Sequence, residues 1–235
     1  MSKQLQPLSV AAPAFFGLNT QDSPVGMSAN FAKQADNCVI DKQGRIAARQ
    51  GHTQVSTSTG DLGSNPIEAL HEHVAYDGTK TVYSAGNNLL YTGTTTLTTL
   101  AFPASYSAPT SNHWKIVSFN NNVYFFQRGQ VPLKQTNGTG ALAILAHGGS
   151  GAPETNEVLV AFGRLWTADN TTNKYTVHFS DLGGDDFHVA GGSSAGLLDL
   201  TKVWASDEIV ALAEFNGSLV IFGKRQTVLY KGAES

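Results

Sequence analysis

Two histidines separated by one residue, His71 and His73, are the first residues whose spacing suggests chemistry. Residues two apart on a β-strand point to the same side, so these imidazoles could begin a metal site. No third ligand can be assigned to them from the sequence. A polar strand face explains the same pattern without a metal, and we therefore predict no metal site.

Carboxylates offer a second possible chemistry. Asp181, Asp185 and Asp186 lie in a glycine-rich stretch and could supply oxygen ligands to calcium, but their spacing does not match an EF-hand loop. We expect solvated loop carboxylates there. Because pairs of carboxylates also hydrolyse glycosidic bonds, Asp185, Asp186 and Glu72 are the acid and base candidates of a sugar-cleaving alternative.

Motifs for nucleophilic serine chemistry and for phosphate binding are absent from the sequence. Residues 148–151 read Gly-Gly-Ser-Gly without the flanking pattern of a Gly-x-Ser-x-Gly elbow, and residues 223–227 lack the upstream glycine of a phosphate-binding loop. The latter segment is predicted to be a basic hairpin turn. Trp114, Trp166 and Trp204 are expected to pack between repeats. We predict no catalytic, metal-binding or cofactor-binding residue, and no cofactor.

The composition limits the partners of the chain. Its 235 residues carry 15 basic and 18 acidic side chains, a net charge of −3, and charged residues make up only 14% of the total. Such a balance provides no broad positive field for nucleic acid, so DNA that passes this protein should slide past it. The single cysteine, Cys38, excludes an internal disulfide and fits folding in a reducing cytosol. Neither a signal peptide nor a membrane-spanning segment is expected.

The elements that would position these residues begin with an irregular arm, which Pro and Gly residues interrupt. Within it, residues 37–49 contain two β-like runs around a polar turn and predict a hairpin. Residues 56–65 are rich in Ser, Thr, Gly and Asp, which is typical of a linker. We therefore predict a division into residues 1–64, an arm with a hairpin, and residues 65–235.

A repeated pattern occupies the second part. An apolar run leads to an aromatic residue and then to a turn of Asn, Asp or Gly, and the aromatic residues Tyr76, Phe119, Phe162 and Phe215 follow at steps of 43, 43 and 53 residues. Each turn is followed by a returning strand-like run, at 81–83, 123–126, 165–167 and 219–222, and then by a third run, at 89–91, 131–133, 175–179 and 227–230. This pattern predicts an all-β fold of propeller-like repeats of short antiparallel strands.

Three further expectations follow from the repeats. Pro132 would remove a ladder hydrogen bond from a central strand, so its strand is predicted at the outer edge of a blade. The long third step is assigned to a glycine-rich loop at 183–196, inserted between strands. Four repeats are few for a closed propeller. Either a small propeller closes here or the chain is the first part of a longer one, and common propeller sizes favour the second.

Several segments resemble the tail nozzle and hub proteins of short-tailed bacteriophages, which are similar to tail tubular protein B. The opening Phe-Gly-Leu-Asn-Thr-Gln-Asp-Ser-Pro at 16–24 precedes Asn-Cys-Val-Ile-Asp at 37–41 and Gly-Arg-Ile-Ala-Ala-Arg-Gln-Gly at 44–51. Further matches are Phe-Ser-Asp-Leu at 179–182, with Phe187 downstream, and the segment 211–225. Together these matches span most of the chain.

The resemblance implies a hexameric ring at the distal end of a short tail, with β-propeller domains around a DNA channel and a tubular adaptor protein above. It also implies a place in the virion after assembly in the host cytoplasm. We accordingly expect a non-enzymatic structural protein that serves tail assembly, genome retention and DNA ejection. The alternative is a glycan-binding or glycoside-hydrolysing propeller, which requires aromatic and carboxylate side chains converging in a cleft.

Overall fold

The computed structural model describes residues 16–28, 30–40, 45–56, 60–107, 109, 113–145, 153–189, 192–204 and 207–231. These residues form an all-β protein with two short 3-10 helices. The chain divides into two compact units, the first ending at Gln54 and the second beginning at Val55. The predicted boundary, after residue 64, lies beyond the 3-10 helix Gly60–Leu62, whose Leu62 packs against Tyr91 and Leu97 of the second unit.

The first unit contains two pairs of very short strands. Strands β1 (Gly17–Leu18) and β2 (Phe31–Ala32) pair in parallel, and β3 (Cys38–Ile40) and β4 (Ile46–Ala48) pair antiparallel. The second pair confirms the predicted hairpin, although its turn at 41–44 lies outside the described residues. None of the described residues in this unit is buried, so they form no hydrophobic core of their own.

The second unit consists of four consecutive antiparallel sheets, each built from strands that follow one another along the chain. The first sheet comprises β5 (Ala69–Val74), β6 (Lys80–Gly86), β7 (Leu89–Thr92) and β8 (Thr98–Leu100). The second comprises β9 (Trp114–Phe119), β10 (Asn122–Gln127), β11 (Leu133–Gln135) and β12 (Ala143–Ile144), with the 3-10 helix Thr136–Gly138. The third comprises β13 (Thr155–Ala161), β14 (Arg164–Asn170), β15 (Thr176–Phe179) and β16 (Gly196–Asp199), and the fourth β17 (Ile209–Phe215), β18 (Ser218–Gly223) and β19 (Thr227–Tyr230).

Two-residue turns join the first and second strands of the last three sheets. Asn120–Asn121 and Asn216–Gly217 fill two of them, with φ between 47° and 70°. Tight antiparallel hairpins need positive φ at both central residues, and Asn and Gly adopt that conformation most easily. The third such turn is Phe162–Gly163, where Phe162 has φ 54°. The local sequence thus accounts for two of these hairpins, while Phe162 adopts its conformation against its own preference.

The aromatic residues of the repeat do not occupy equivalent places. Phe119 and Phe215 end strands β9 and β17, as the repeat predicts. Tyr76 instead lies in the longer turn between β5 and β6, and Phe162 is a turn residue. The hairpins and the third strands of the first, third and fourth sheets are nevertheless where the repeat predicts them, because they follow from local apolar runs and turn residues. In the second sheet the third strand β11 begins only at Leu133, the last residue of the predicted run at 131–133.

Connections between later strands confirm two predictions and correct one. Residues 183–189 and 192–195 of the predicted glycine-rich insertion lie between β15 and β16, and the predicted turn at 223–227 has its residues 224–226 between β18 and β19. The predicted edge position of the Pro132 strand is wrong, because β11 pairs with both β10 and β12. Pro132 lies just before β11, so its missing N–H removes no ladder hydrogen bond, and its carbonyl accepts the Leu145 N–H at 2.9 Å.

The cores lie between successive sheets, which pack face to face. Tyr83 and Phe125 belong to the cluster between the first and second sheets, Tyr124 and Leu165 to the next, and Trp166 to the cluster between the third and fourth. The first strands are neighbours throughout, since β5 contacts β9, β9 contacts β13, and β13 contacts β17. The second unit is therefore a row of sheets with three internal cores.

Candidate functional site

The two histidines of β5 converge on one hydroxyl of the next sheet. His71 and His73 point to the same side of the strand, as predicted, and face Ser118 of β9. The Ser118 Oγ lies 2.8 Å from His71 Nε2 and 2.8 Å from His73 Nδ1. The Ser118 hydroxyl has one proton, so it donates to one imidazole and accepts an N–H from the other. This His–Ser–His cluster links the first two sheets.

Burial controls the charge of the His–Ser–His cluster. Loss of hydration lowers the pKa of both imidazoles below the ordinary value, and the neighbouring His73 lowers the pKa of His71 further. His73 is only 1% exposed, and its Nε2 has no hydrogen-bond partner among the described residues. Both rings are therefore held in their neutral form near pH 7.

A hydroxyl beside an imidazole is also the geometry of an activated nucleophile, which a third group normally orients. Glu72 is the nearest carboxylate in sequence, but it lies on the opposite side of β5 and pairs with Lys80 at 3.1 Å. The two imidazoles instead each direct a ring nitrogen at the Ser118 hydroxyl, His71 its Nε2 and His73 its Nδ1. The arrangement is suited to joining two sheets at neutral pH.

A second polar contact joins the same two sheets next to the His–Ser–His cluster. The Tyr83 hydroxyl, which is fully buried, donates toward Gln135 Oε1 at 2.5 Å and lies 2.8 Å from the Gly138 carbonyl. Burial raises the pKa of Tyr83 to about 12, so the phenol stays protonated at physiological pH. The interface between the first and second sheets thus combines an apolar core with neutral polar links.

The lowered histidine pKa values predict an acid-sensitive interface. Because the folded chain binds fewer protons than the unfolded chain, stability should decrease as the pH falls through 6.5 toward the lowered pKa values. We expect the Tm at pH 5.5 to be a few degrees lower than at pH 7.5. In the double variant His71→Asn/His73→Asn, this difference should become clearly smaller, as measured by thermal unfolding at both pH values.

The control is His178→Asn, which removes one other imidazole whose pKa is lowered by burial. This variant should reduce the difference in Tm between pH 7.5 and pH 5.5 less than the double variant does, since it leaves the His–Ser–His cluster intact. A double variant that retains the full wild-type loss of Tm between pH 7.5 and 5.5 would show that these histidines are not its cause.

The predicted loop carboxylate Asp181 holds the inserted loop together. Its Oδ1 accepts the Ser193 and Ser194 hydroxyls and the backbone N–H groups of Ser194 and Ala195, at 2.7–3.1 Å. These hydrogen bonds lower the pKa of the Asp181 carboxyl even though burial opposes them. Arg164 fixes the same loop, with its guanidinium donating to the carbonyls of Ser180 and Ser194. Asp181 is therefore engaged by its own loop and not directed outward.

The carboxylates of the sugar-cleaving alternative are held by different partners. Asp185 accepts the Tyr124 hydroxyl at 2.8 Å and pairs with Lys134, both of the second sheet. Glu72 belongs to the first sheet, where it pairs with Lys80. Asp186 accepts the backbone N–H of His188 within its own loop. Glu72 thus has its partner in the first sheet, Asp185 has its partners in the second sheet, and Asp186 has one in its own loop.

The remaining predicted residues lie in structural positions. Trp114 is buried between the first and second sheets, and Trp166 and Trp204 are buried between the third and fourth. Cys38 belongs to strand β3 of the first unit. Residues 148–151 lie outside the described residues. Within the described part of the chain, no group of three His, Cys, Asp or Glu side chains could hold a metal ion.

Ser118 is the member of the His–Ser–His cluster that the sequence does not single out. It lies 47 residues from His71, in a run whose sequence indicates only a strand of the repeat. The available signal was its position as a polar residue two after Ile116, on a strand face that is otherwise apolar. That signal marks a polar residue on an apolar strand face without showing its partner.

Comparisons with known proteins add no relative to this description. No helix in the described residues is both long enough and apolar enough to cross a membrane. A scan against models of protein families finds no match to this chain, and a search of curated proteins finds none either. The sheets and the contacts between them are therefore the basis for any functional conclusion.

Proposed function

We propose that this chain is a non-enzymatic structural protein of a bacteriophage tail, a nozzle or hub that forms a homo-oligomeric ring around the DNA exit channel. In this role it serves virion assembly, genome retention and DNA ejection. Its partners are further copies of itself, six in the ring that the resemblance implies, and the tubular adaptor protein above. Viral DNA passes without sequence-specific binding, and the protein resides in the virion tail.

The row of four sheets is the observation that carries this proposal. Each sheet is an antiparallel meander, successive sheets pack face to face, and their first strands lie side by side. Propeller blades have the same strand order and the same neighbours. We therefore propose that the sheets are propeller blades, which is the architecture that the resemblance to nozzle proteins implies.

The distribution of charge supports passage of DNA over binding of DNA. In the part of the chain that the structure describes, at least six basic side chains form ion pairs with carboxylates of the same chain: Lys80, Lys115, Arg128, Lys134, Lys174 and Lys224. A cation that is paired within the protein releases fewer counterions when it approaches a phosphate, so it adds less to DNA affinity. Weak attraction suits a channel through which the genome must move quickly.

The proposal is tested in particles of a phage whose gene for this chain carries an early stop codon. We expect tails without their distal part and heads that have lost their DNA, as counted by electron microscopy. Supplying the full chain from a plasmid should restore filled, infectious particles. Complete tails and filled heads without the chain would overturn the proposal.

A further inference from the structure

The polar contacts that join successive sheets differ along the row. Three ion pairs cross from the second sheet to the third sheet and its inserted loop: Lys115–Glu157, Arg128–Asp169 and Lys134–Asp185. Lys174, which lies between β14 and β15, pairs with Glu208 just before β17 of the fourth sheet. The polar links described above between the first and second sheets are uncharged, namely the His–Ser–His cluster and the Tyr83 hydroxyl. The interface between these two sheets should therefore respond to pH in its own way.

The described strands that face each other across this interface offer no carboxylate to a charged imidazole. Strands β5 to β12 contain one acidic side chain, Glu72, which lies on the opposite side of β5 from the histidines and pairs with Lys80. Glu68, before β5, and Asp77, in the turn after β5, are both exposed. An imidazolium in this interface would therefore lack the partner that normally stabilises a buried charge.

The other basic groups of the second sheet lie away from the His–Ser–His cluster. Lys115 and Lys134 pair with carboxylates of the third sheet and its loop, and so does Arg128 after β10. His113, which precedes β9, is exposed. Within the facing strands, the two imidazoles of the cluster are therefore the groups that titrate between pH 5 and 8.

His73 cannot become charged in the closed interface without leaving an N–H group unpaired. Its side chain is buried, and its Nε2 has no hydrogen-bond partner among the described residues. An imidazolium carries a proton on both ring nitrogens, so Nε2 would be a buried donor without an acceptor. Gly138 closes that side of the ring, since a Cβ at Gly138 would lie 2.8 Å from Nε2. Burial accordingly lowers the pKa of both His71 and His73.

We propose that the interface between the first and second sheets opens reversibly at mildly acidic pH, while the other two interfaces of the row stay closed. Opening gives both imidazoles of the His–Ser–His cluster access to water, where each takes up a proton. Carboxyl groups ordinarily protonate about two pH units below imidazoles, so the ion pairs of the other interfaces persist where the cluster titrates. The first sheet is thereby released from the second, and the apolar core around Phe125 becomes accessible.

The test measures how often each interface opens, from the rate at which a buried cysteine reacts with 4,4′-dithiodipyridine in the full chain carrying Cys38→Ser. Ala85→Cys places the thiol in the first interface, and Val158→Cys and Ala168→Cys place it in the second and third interfaces. Each rate is divided by that of an unfolded reference peptide at the same pH. Between pH 7.5 and 5.5, labelling of Ala85→Cys should rise about 10-fold for each imidazole that is protonated only after opening, and about 100-fold for two. Labelling at the other two positions should not change.

Histidine variants of the Ala85→Cys chain identify the titrating groups. The double variant His71→Asn/His73→Asn should remove the increase, and His71→Asn alone should leave about a 10-fold increase. The matched control is His178→Asn, which removes a half-buried imidazole of the third sheet and should leave the full increase. Circular dichroism at pH 7.5 checks that each variant is folded. Leu133→Cys, a buried position of the same core in the second sheet, is the second probe if Ala85→Cys does not fold.

Two results would overturn the inference. Labelling of Ala85→Cys that is the same at both pH values would show that the first interface does not open in acid. An equal increase at Val158→Cys and Ala168→Cys would show that the whole unit unfolds instead. The purified chain needs no tail partner for this test, so the proposed tail function is judged separately by the stop-codon particles.

Discussion

Trp166→Ala is expected to lower the free energy of unfolding of the second unit by about 3–5 kcal/mol, as measured by urea denaturation. Trp166 is 2% exposed and lies in the core between the third and fourth sheets. Its ring packs against Phe179 at 4.9 Å and edge-on against Phe162 at 6.4 Å between centroids. Its indole N–H donates to the Ala161 carbonyl at 3.0 Å, so the variant loses packing and a hydrogen bond together.

The control for this prediction is Trp166→Phe, which keeps an aromatic ring in the core but cannot donate to the Ala161 carbonyl. This variant should lower the free energy of unfolding clearly less than the alanine variant does, because the phenyl ring fills most of the space that the indole occupied. If the two variants were equally stable, packing of Trp166 between the sheets would not hold the third and fourth sheets together.

Gly138→Ala should lower the free energy of unfolding by about 3 kcal/mol, as measured by urea denaturation. Gly138 has φ 65°, and a Cβ placed there would lie 2.8 Å from His73 Nε2. The ring of His73 cannot move away easily, because it is buried and its Nδ1 is bound to Ser118. The methyl group would therefore push apart the first and second sheets at the His–Ser–His cluster.

Gly140→Ala is the matched control. Gly140 has φ 82°, but a Cβ at that position has no heavy atom within 4 Å. Its variant should carry only the backbone strain, about 1–2 kcal/mol in urea denaturation. If the two variants lost equal free energy of unfolding, contact with His73 would not contribute to the effect of Gly138→Ala. The first and second sheets would then not approach each other as described.

The parts of the fold that were predictable depend on neighbours in sequence. The hairpin at 37–49, the second strands of the repeats and the turn at 223–227 follow from apolar runs bounded by Asn, Gly and polar residues. Phe162 shows the limit of this approach, because its propensity is that of a strand residue although it forms a turn with positive φ. Pro132 shows another limit, since a shift of one residue moves it out of the ladder.

The candidate site was only half predictable for a related reason. A strand period of two residues places His71 and His73 on one side, which required no knowledge of the fold. Ser118 joins them only because the second sheet packs on the first, and a contact across 47 residues leaves no local pattern. The partners of Asp185, Tyr124 and Lys134 of the second sheet, could not be predicted for the same reason, because they are distant from it in sequence.

Negative-stain imaging with mass photometry, of the purified chain alone and mixed with its tail neighbours, tests the proposed tail role most directly. We expect a ring with a central opening, formed by six copies, that attaches to the distal end of the tail tube. A stable monomer that never joins a tail would contradict the account and would direct attention to assays of glycan binding.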